Sequence, residues 1–288
     1  MSDTLVLRRG GCELELLPWL GGAIGRFDVD GRPVLRPTPQ GVTNVLETAS
    51  FPLVPYANRI AGGRFTFAGA GYVLPSNFAG FEHPLHGLGW VKRWDVIEAD
   101  LTSAAITCSH LADEHWPWNW SATQHFALTE GGLKVSLELV NTSAQAMPSG
   151  LGQHPYIVRG GTERLAFAAT GVWENDEATI PVRALPAGAF GDFVQGHILD
   201  AERLIDNCYF GWRGEVDWGP AISLHSRSAG FLHVFAPPGE DFICLEPTSQ
   251  MPDALNRADF AEAGGVSLAP GARQVLDLEI RARPSPRP

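Results

Sequence analysis

The sequence predicts an all-β fold, a sandwich or barrel built from many short strands. Several runs alternate between apolar and polar residues, and this period of two places one face of a strand on a core and the other in water. The chain also contains 32 glycines and 22 prolines, which favour frequent turns over long helices. Many short strands separated by turns are typical of sandwiches and barrels.

The clearest alternation occurs in three runs, which span residues 12–16, 133–139 and 276–281. The first two runs follow the glycine pairs Gly10-Gly11 and Gly131-Gly132, at which hairpin turns are predicted. A further hairpin is predicted where residues 69–71 join the strand candidates at 64–67 and 72–74.

Helical patterns are scarce, and the only helical turn predicted covers residues 252–256 with Pro252 at its first position. The chain has no internal repeat, low-complexity block or clear linker. A single domain is therefore expected over residues 1–288, with residues 282–288 forming a frayed tail.

Composition limits the classes of partner. Hydrophobic residues make up 44% of the 288 residues and charged residues 18%, values typical of a globular protein. The net charge of −11 disfavours nucleic acids, which need a basic surface, and anionic membranes. No segment approaches the ~20 apolar residues that span a bilayer. Residues 1–9 also lack the basic start and apolar stretch of a signal peptide.

A cytoplasmic location is expected from the cysteines as well. Cys12, Cys108, Cys208 and Cys244 are widely separated, and no Cys-x-x-Cys pair suggests a zinc site. Reduced and mostly buried thiols are the simplest interpretation.

Two residues, His154 and Glu246, have side chains suited to acid–base chemistry. Histidine donates and accepts protons most readily near neutral pH, and the proline after His154 favours an extended backbone there. Glu246 follows the apolar residues 242–245, an unusual place for a charge because burying an unpaired carboxylate is costly. Partial burial would raise its basicity. Taken alone, each residue also fits a structural role at a strand end.

Five further residues are candidates for binding a polar ligand. Arg59 carries a rigid fork of hydrogen-bond donors, and Asn58 precedes it. His86 lies before a glycine-rich segment that allows a backbone to approach a ligand, and the indole of Trp90 offers an apolar platform. Asp206 stands at the edge of an apolar run. Taken alone, these residues equally fit surface turns, solvated loops and an Asx turn.

Other histidine and aromatic residues are assigned mainly to structure. His83 is expected to be a solvated loop residue. Trp116, Trp118 and Trp120 alternate, which on a strand would place all three on one face. Most of this aromatic surface is expected in the core, with one or two indoles available to line a binding site.

In this order, the polar clusters resemble those of the aldose 1-epimerase (mutarotase) family. No single cluster is specific, but the ordered set is, and the resemblance covers nearly the whole chain. The matching residues are Asn58-Arg59-Ile60, Gly63-Arg64-Phe65, Leu85-His86-Gly87, His154-Pro155-Tyr156, Asp206-Asn207 and Glu246.

The resemblance implies a galactose mutarotase-like β-supersandwich of large antiparallel sheets with few short helices, and a sugar held on the concave face of one sheet. It implies an isomerase that interconverts the α and β anomers of a free aldose without metal or nucleotide cofactor. Glu246 would remove the proton from the C1 hydroxyl, and protonated His154 would donate to the ring oxygen. His86, Arg59 and Asp206 would hold the hydroxyls of a monosaccharide, in a monomer or homodimer.

The chain departs from the family pattern at two places. Many relatives have His-Gly-Gly where this chain has His86-Gly87-Leu88-Gly89, and Glu-Thr-Gln where it has Glu246-Pro247-Thr248. These changes leave the natural sugar open. Three alternatives also remain open from the residues themselves: a sugar-phosphate epimerase that uses Arg59, Arg64, Lys92 and Arg93, a non-catalytic carbohydrate-binding protein, and a metal enzyme with His86, His154 and a carboxylate as ligands.

Overall fold

The computed structural model of the protein describes residues 4–80 and 82–282. Residues 1–3 of the segment considered for a signal peptide lie outside the described residues. The same holds for residues 283–288 of the predicted tail, whereas Ala282 ends the last strand.

The described residues form 25 strands, which are short and distributed along the whole chain. In the first half they are β1 (Leu5–Arg9), β2 (Cys12–Leu17), β3 (Ala23–Val29), β4 (Arg32–Pro33), β5 (Pro52–Leu53), β6 (Arg64–Phe67), β7 (Ala70–Val73), β8 (Asp95–Ala99), β9 (Ser103–His110), β10 (Trp120–Thr129), β11 (Gly132–Asn141), β12 (Met147–Ser149) and β13 (Gly152–Gln153). In the second half they are β14 (Tyr156–Val158), β15 (Arg164–Phe167), β16 (Gly171–Asn175), β17 (Pro181–Pro186), β18 (His197–Ile198), β19 (Ile205–Phe210), β20 (Glu215–Trp218), β21 (Ile222–His225), β22 (Phe231–Ala236), β23 (Phe242–Thr248), β24 (Val266–Leu268) and β25 (Arg273–Ala282).

Two large antiparallel sheets dominate the architecture, as the sequence and the family resemblance predicted. A nine-stranded sheet has the order β18-β15-β20-β21-β25-β11-β10-β9-β8. An eight-stranded sheet has the order β17-β16-β19-β22-β23-β13-β5, and β14 pairs with β23 beside β13. Smaller sheets are formed by β1 to β4, by β6 with β7 and by β12 with β24.

The main core lies between the two large sheets. Alternate residues of β11 and β25, such as Leu137 and Leu278, join one hydrophobic cluster with Leu232, Val234 and Leu245 from the eight-stranded sheet. These side chains are at most 2% exposed. Because successive residues of a strand point to opposite faces, this packing also fixes which residues of β22 and β23 face away from the core.

The strand and hairpin predictions are confirmed with small shifts of boundary. Gly10 and Gly11 join β1 to β2, and residues 130–131 join β10 to β11, which begins at Gly132. The third hairpin joins β6 to β7. The predicted run 133–139 lies within β11, and the run 276–281 lies within β25.

The helical prediction was only partly correct. A single turn of 3-10 helix spans Ala254–Asn256, so Pro252 lies before it and Asp253, with φ 57°, precedes its first residue. The other helical segments are similar single turns at Val45–Glu47, Ala61–Gly63, Gly89–Val91 and Ala187–Phe190. Over the described residues, none of these helical turns has the length or apolar character needed to cross a membrane.

The three alternating tryptophans belong to the core. Trp116, Trp118 and Trp120 are at most 3% exposed and lie in the main cluster. Only Trp120 is part of β10; the ring of Trp116 packs against Tyr56, and that of Trp118 packs against Tyr72. The expectation that one of these indoles lines a binding site is therefore wrong. The four cysteines are buried and unpaired, as predicted.

The segment around Gly87 approaches β5 closely, which generates a stability prediction. Gly87 has φ 68°, and an added Cβ would lie 2.2 Å from the carbonyl oxygen of Val54. Gly69 has φ 81° but open space around it. We expect Gly69→Ala to cost about 1 kcal/mol through backbone strain alone. Gly87→Ala should cost at least about 2 kcal/mol more because the backbone must also move.

Urea denaturation of both variants measures this difference. Equal free energies of unfolding would contradict the close approach of Gly87 to Val54.

Candidate functional site

The candidate site lies on the face of the eight-stranded sheet that points away from the main core. Leu232 and Val234 of β22 point into that core, so His233 between them points to the opposite face. Two smaller hydrophobic clusters lie on this second face. One contains Phe51, Trp90 and Tyr156, and the other contains Cys208, Phe231 and Met251. A set of buried polar side chains lies between them.

Strand register aligns four of these buried side chains in one line, which we call the transverse row: His154, Glu246, His233 and Cys208. Glu246 of β23 is the register partner of His233 on β22, and His233 is the partner of Cys208 on β19. On the other side of Glu246, the pairs Gly152↔Thr248 and Tyr156↔Cys244 place His154 opposite it. The four residues are at most 6% exposed.

His154 and Glu246 are in direct contact. The Nε2 atom of His154 lies 3.3 Å from Oε1 of Glu246. His154 sits at the break between β13 and β14, where its backbone N–H donates to the carbonyl oxygen of Phe51. Its ring packs against Phe51 and Tyr156, with centroids 4.6 and 4.7 Å away. These two contacts hold the imidazole in one orientation.

Asn58 and His86 form the opposite side of the site through reciprocal hydrogen bonds. The backbone N–H of Asn58 donates to Nδ1 of His86, and the backbone N–H of His86 donates to the carbonyl oxygen of Asn58. Both residues have positive φ, 61° and 57°, in the left-handed region that asparagine and histidine adopt more readily than most residues. The two loops are thereby locked together.

Asn58 also positions Arg59. Its side-chain oxygen accepts from the backbone N–H of Arg59 at 2.9 Å and from the guanidinium at 3.2 Å. The positive charge of the half-buried guanidinium favours the ionised forms of Asp206 and Glu246. In Glu246 it opposes the larger effect of burial, which raises the pKa. Asn58 itself is 4% exposed, so its contacts support neighbouring groups more than they offer a surface to a ligand.

Asp206 and His233 form a short buried pair. Oδ1 of Asp206 lies 2.6 Å from Nε2 of His233. Burial alone would lower the pKa of His233, but the hydrogen bonds to Asp206 and Cys208 and the nearby charge of Glu246 raise it above its ordinary value. Burial would likewise raise the pKa of Asp206, and His233 holds it down. Both directions favour an imidazolium paired with a carboxylate.

Burial shifts the pKa values of Glu246 and His154 in opposite directions. It raises the pKa of Glu246 to about 7, against the opposing influence of His233. It lowers the pKa of His154 to about 3. Two groups in contact titrate as one system, so these directions describe a pair that holds one proton below neutral pH. These directions favour the proton on Glu246, so a charged His154, as the family resemblance implies, requires transfer across the 3.3 Å contact.

His86 is neutral, and its tautomer is fixed by the backbone. Burial lowers its pKa well below the ordinary value, helped by the nearby His154 and Arg59. Because the N–H of Asn58 can only donate, Nδ1 of His86 must accept, and the ring proton is then on Nε2. His86 therefore offers an N–H donor to a ligand.

The same tautomer bears on metal binding. His86, His154 and Glu246 have potential ligand atoms within 4.8 Å of one another. A histidine ligand normally donates its other ring N–H to an acceptor, whereas Nδ1 of His86 faces a donor. Binding through Nε2 would break that hydrogen bond. The donor set thus fits a hydroxylated ligand better than a metal ion.

The structure brings together most of the site residues that the sequence singled out. His154, Glu246, His86, Asp206 and Arg59 converge on one face, and the solvent-reaching interpretation of Glu246 is wrong because it is 2% exposed.

Two residues have other positions than expected. Trp90 is fully buried, and its ring lies edge-on to His86 while Nε1 donates to the carbonyl oxygens of Leu85 and Gly87. It supports His86 from behind, so the prediction that it contacts a substrate is wrong. His83 is buried, with Nδ1 accepting from the N–H of Gly62, so it is not a solvated residue.

The sequence reasoning missed His233. The residue lies in β22 between apolar neighbours, Phe231 to Ala236, and is 2% exposed. The signal that singled out Glu246, a titratable side chain within an apolar strand, applies equally to His233. Only the strand register reveals that these two residues are adjacent.

The other large sheet carries a groove. A groove of about 980 Å³ on the outer face of the nine-stranded sheet is lined by charged residues that include Lys134, Asp277 and Glu279. Asp277 is already occupied by the N–H groups of Arg227 and Ser228, and Glu279 pairs with Arg281. None of the residues of the transverse row lines this groove, so we place the site on the other sheet.

Comparison with known proteins identifies the family of the chain. The sequence profile of a family described as aldose 1-epimerase matches residues 3–281. The protein YphB of Escherichia coli K12, which is uncharacterized, is 31% identical over 278 residues, 91% of this chain and 92% of its own length. An aldose 1-epimerase of the same organism is 30% identical over 165 residues, 53% of this chain and 46% of its own length.

Solved structures extend the likeness to the fold. A crystal structure of an E. coli K12 protein provisionally assigned as an aldose 1-epimerase superposes with a TM-score of 0.90 at 29% identity, covering 98% of this chain and 99% of the other. A galactose mutarotase-like protein from Clostridium acetobutylicum gives a TM-score of 0.82 at 17% identity, covering 98% and 96%. The second likeness bears on the fold alone.

The burial of Glu246 generates a prediction for stability. The pKa of Glu246 is raised from 4.5 to about 7 in the folded protein. The protonated carboxyl group therefore stabilises the fold at low pH, and this contribution is lost as pH rises from 4.5 towards 7. Glu246→Gln removes the charge and keeps the shape. We expect the variant to gain on the order of 2 kcal/mol over the wild type between pH 5 and pH 8.

Urea denaturation at the two pH values measures this gain. Glu138→Gln on the nine-stranded sheet is the control for the same chemical change and should follow the wild type. A pH-independent difference for Glu246→Gln would contradict the raised pKa.

Proposed function

The chain belongs to the aldose 1-epimerase family, and we propose that it interconverts the α and β anomers of a free aldose by acid–base ring opening and closure. The observation that carries this proposal is the contact between His154 and Glu246 in a buried row, where the pair holds one proton. The protein is proposed to act in the cytoplasm as a single domain.

The proposed reaction uses the proton of the pair to open the ring and recovers it when the ring closes. With the proton transferred to His154, Glu246 is a carboxylate that removes the proton from the C1 hydroxyl. The C1–O5 bond breaks, and its electrons leave with the ring oxygen, which takes the proton from His154. The open aldehyde forms, rotation about C1–C2 presents its other face, and the same transfers in reverse close the opposite anomer.

Proton balance favours this pair. After ring opening, Glu246 is protonated and His154 is neutral, which is the second form of the same singly protonated pair. The site therefore needs no proton from solvent during the step. Burial reverses the ordinary order of the two proton affinities, because it raises the pKa of Glu246 to about 7 and lowers that of His154 to about 3, so the transfer to His154 is an uphill step of the proposed reaction. Positioned acid–base groups of this kind contribute ~10²–10⁴-fold in rate.

The remaining polar groups are proposed to hold the sugar. The N–H at Nε2 of His86 and the guanidinium of Arg59 would donate to sugar oxygens, and Asp206 would accept from hydroxyl groups. Asp206 has the more open position, since 17% of its side chain is exposed compared with 2% for Glu246. The sugar would thus bind with C1 and O5 towards the transverse row.

The distribution of cations supports a free sugar over a sugar phosphate. Arg59 acts on His86, Asp206 and Glu246. Arg36 acts on His154, but its guanidinium already donates to the carbonyl oxygens of Leu46 and Thr48. Lys92 instead acts on Cys108 and His110 of the nine-stranded sheet, and Arg64 is exposed on β6. A dianionic phosphate would need several donors close together.

A non-catalytic sugar-binding role is less well supported. A site that only binds hydroxyl groups would not need a buried carboxylate in contact with a buried imidazole, because such burial costs stability.

We expect Glu246→Gln and His154→Asn each to lower kcat for anomer exchange by about 10²-fold or more, because each removes one partner of the proton pair. Exchange between the α and β signals of glucose and galactose, followed by NMR, measures the rate. The control is His125→Asn, on an exposed position of β10, which should retain the wild-type rate.

Wild-type rates in both site variants would refute the assigned roles, and absence of exchange by the wild type with any aldose would refute the function. Faster exchange of glucose 6-phosphate than of glucose would favour the sugar-phosphate alternative.

The shared proton also predicts a pH profile. As pH rises through about 7, the pair loses its proton and Glu246 remains a base without an acid partner. We expect kcat/KM to fall about tenfold per pH unit above that value. On the acid side, activity should persist until a second proton enters the pair, well below the ordinary pKa of histidine because burial lowers that of His154. A rate that stays constant from pH 6 to pH 9 would exclude this scheme.

A further inference from the structure

We propose that His233 is a positioning residue of this site, a buried imidazolium that fixes Asp206 for hydroxyl binding and holds Glu246 in a form that can act as a base. This inference rests on the proposed function of the same site. It assigns a role to a residue that the sequence pattern of the site clusters does not contain.

Geometry is the first support. His233 is the register partner of Glu246 on one side and of Cys208 on the other, so it lies at the centre of the transverse row. Its Nε2 contacts Oδ1 of Asp206 at 2.6 Å. With 2% exposure, the ring is shielded from solvent and depends on protein groups for its charge.

The surrounding charges favour the protonated ring. Asp206 contacts the ring directly, and Glu246 adds to its effect when it is ionised, so both carboxyl groups favour the proton on His233. The positive guanidinium of Arg59 stands against the same two carboxylates, and His86 and His154 are neutral. The titratable groups that act on His233, or on which it acts, are Asp206, Cys208, Glu246, His154 and His86.

A fixed positive charge beside Glu246 serves catalysis by opposing the effect of burial. Burial pushes the carboxyl towards its neutral form, and His233 is the largest influence in the opposite direction. Without it, Glu246 would hold its proton too firmly to accept another from C1–OH. At the same time, the hydrogen bond stops the Asp206 carboxylate from rotating and leaves its second oxygen for a sugar hydroxyl.

The variant that tests this role is His233→Asn. Loss of one positive charge within contact range of Glu246 should raise the alkaline limb of the kcat/KM profile by about 1 pH unit or more. Arg59 also lowers the pKa of Asp206 and therefore opposes protonation of this carboxylate in the variant. KM should rise by about tenfold because Asp206 loses its anchor.

A second variant separates charge from shape. Asp206→Asn removes the negative charge, and the unpaired His233 then becomes neutral, so the net charge beside Glu246 changes little. The alkaline limb of Asp206→Asn, and of the double variant, should therefore stay close to that of the wild type. His125→Asn is again the control. A loss of rate in His233→Asn without any shift of the pH limb would overturn the proposal and leave the function intact.

A direct measurement does not depend on activity. Imidazole 15N chemical shifts of the wild-type protein report the charge of each ring, and we expect His233 to be doubly protonated at pH 7 while His86 and His154 are not. A neutral His233 would overturn the proposal even if the variant did not fold or the wild type did not exchange anomers. Failure of anomer exchange together with a charged His233 would instead locate the error in the proposed function.

Discussion

The cost of burying a carboxylate is the constraint on which the rest of the structure depends. Glu246 is 2% exposed on a sheet face with apolar clusters on both sides. An isolated charge there would be expelled or neutralised, so the site must supply partners. His154 on one side and His233 on the other do so, and both positions follow from strand pairing. The sheet therefore provides the electrostatics of the site as well as its geometry.

These partners have different protonation states because their own neighbours differ. Burial and the nearby His233 lower the pKa of His154, which favours its neutral form. Hydrogen bonds to Asp206 and Cys208 raise the pKa of His233, which favours its charged form. His86 receives a backbone N–H at Nδ1, which fixes it as a neutral donor. In the proposed mechanism, three buried histidines on one face thus supply a proton carrier, a fixed charge and a hydrogen-bond donor.

The sequence predicted local features well and long-range pairing poorly. Alternation identified β11 and β25 because period two is a property of each strand alone. Glu246 and His154 could be selected by their unusual settings and by family resemblance. That Trp90 lies behind His86, and that His233 adjoins Glu246, depends on contacts between distant segments. No periodicity in one segment carries that information. The alternation of Trp116, Trp118 and Trp120 suggested a single strand, but Trp116 and Trp118 precede β10.

Strand register determines which side chains reach the site. In β23 the side chains of Ile243 and Leu245 fill the core between the sheets, which directs Glu246 to the other face. A slip of one residue would turn Glu246 into that core and expose two apolar side chains to the site. Such a state would bury a carboxylate without His154 or His233, so the electrostatic cost adds to the loss of packing. Glu246 costs stability in the correct fold, but it destabilises the shifted strand pairing even more. Fold and site are consequently specified by the same alternation.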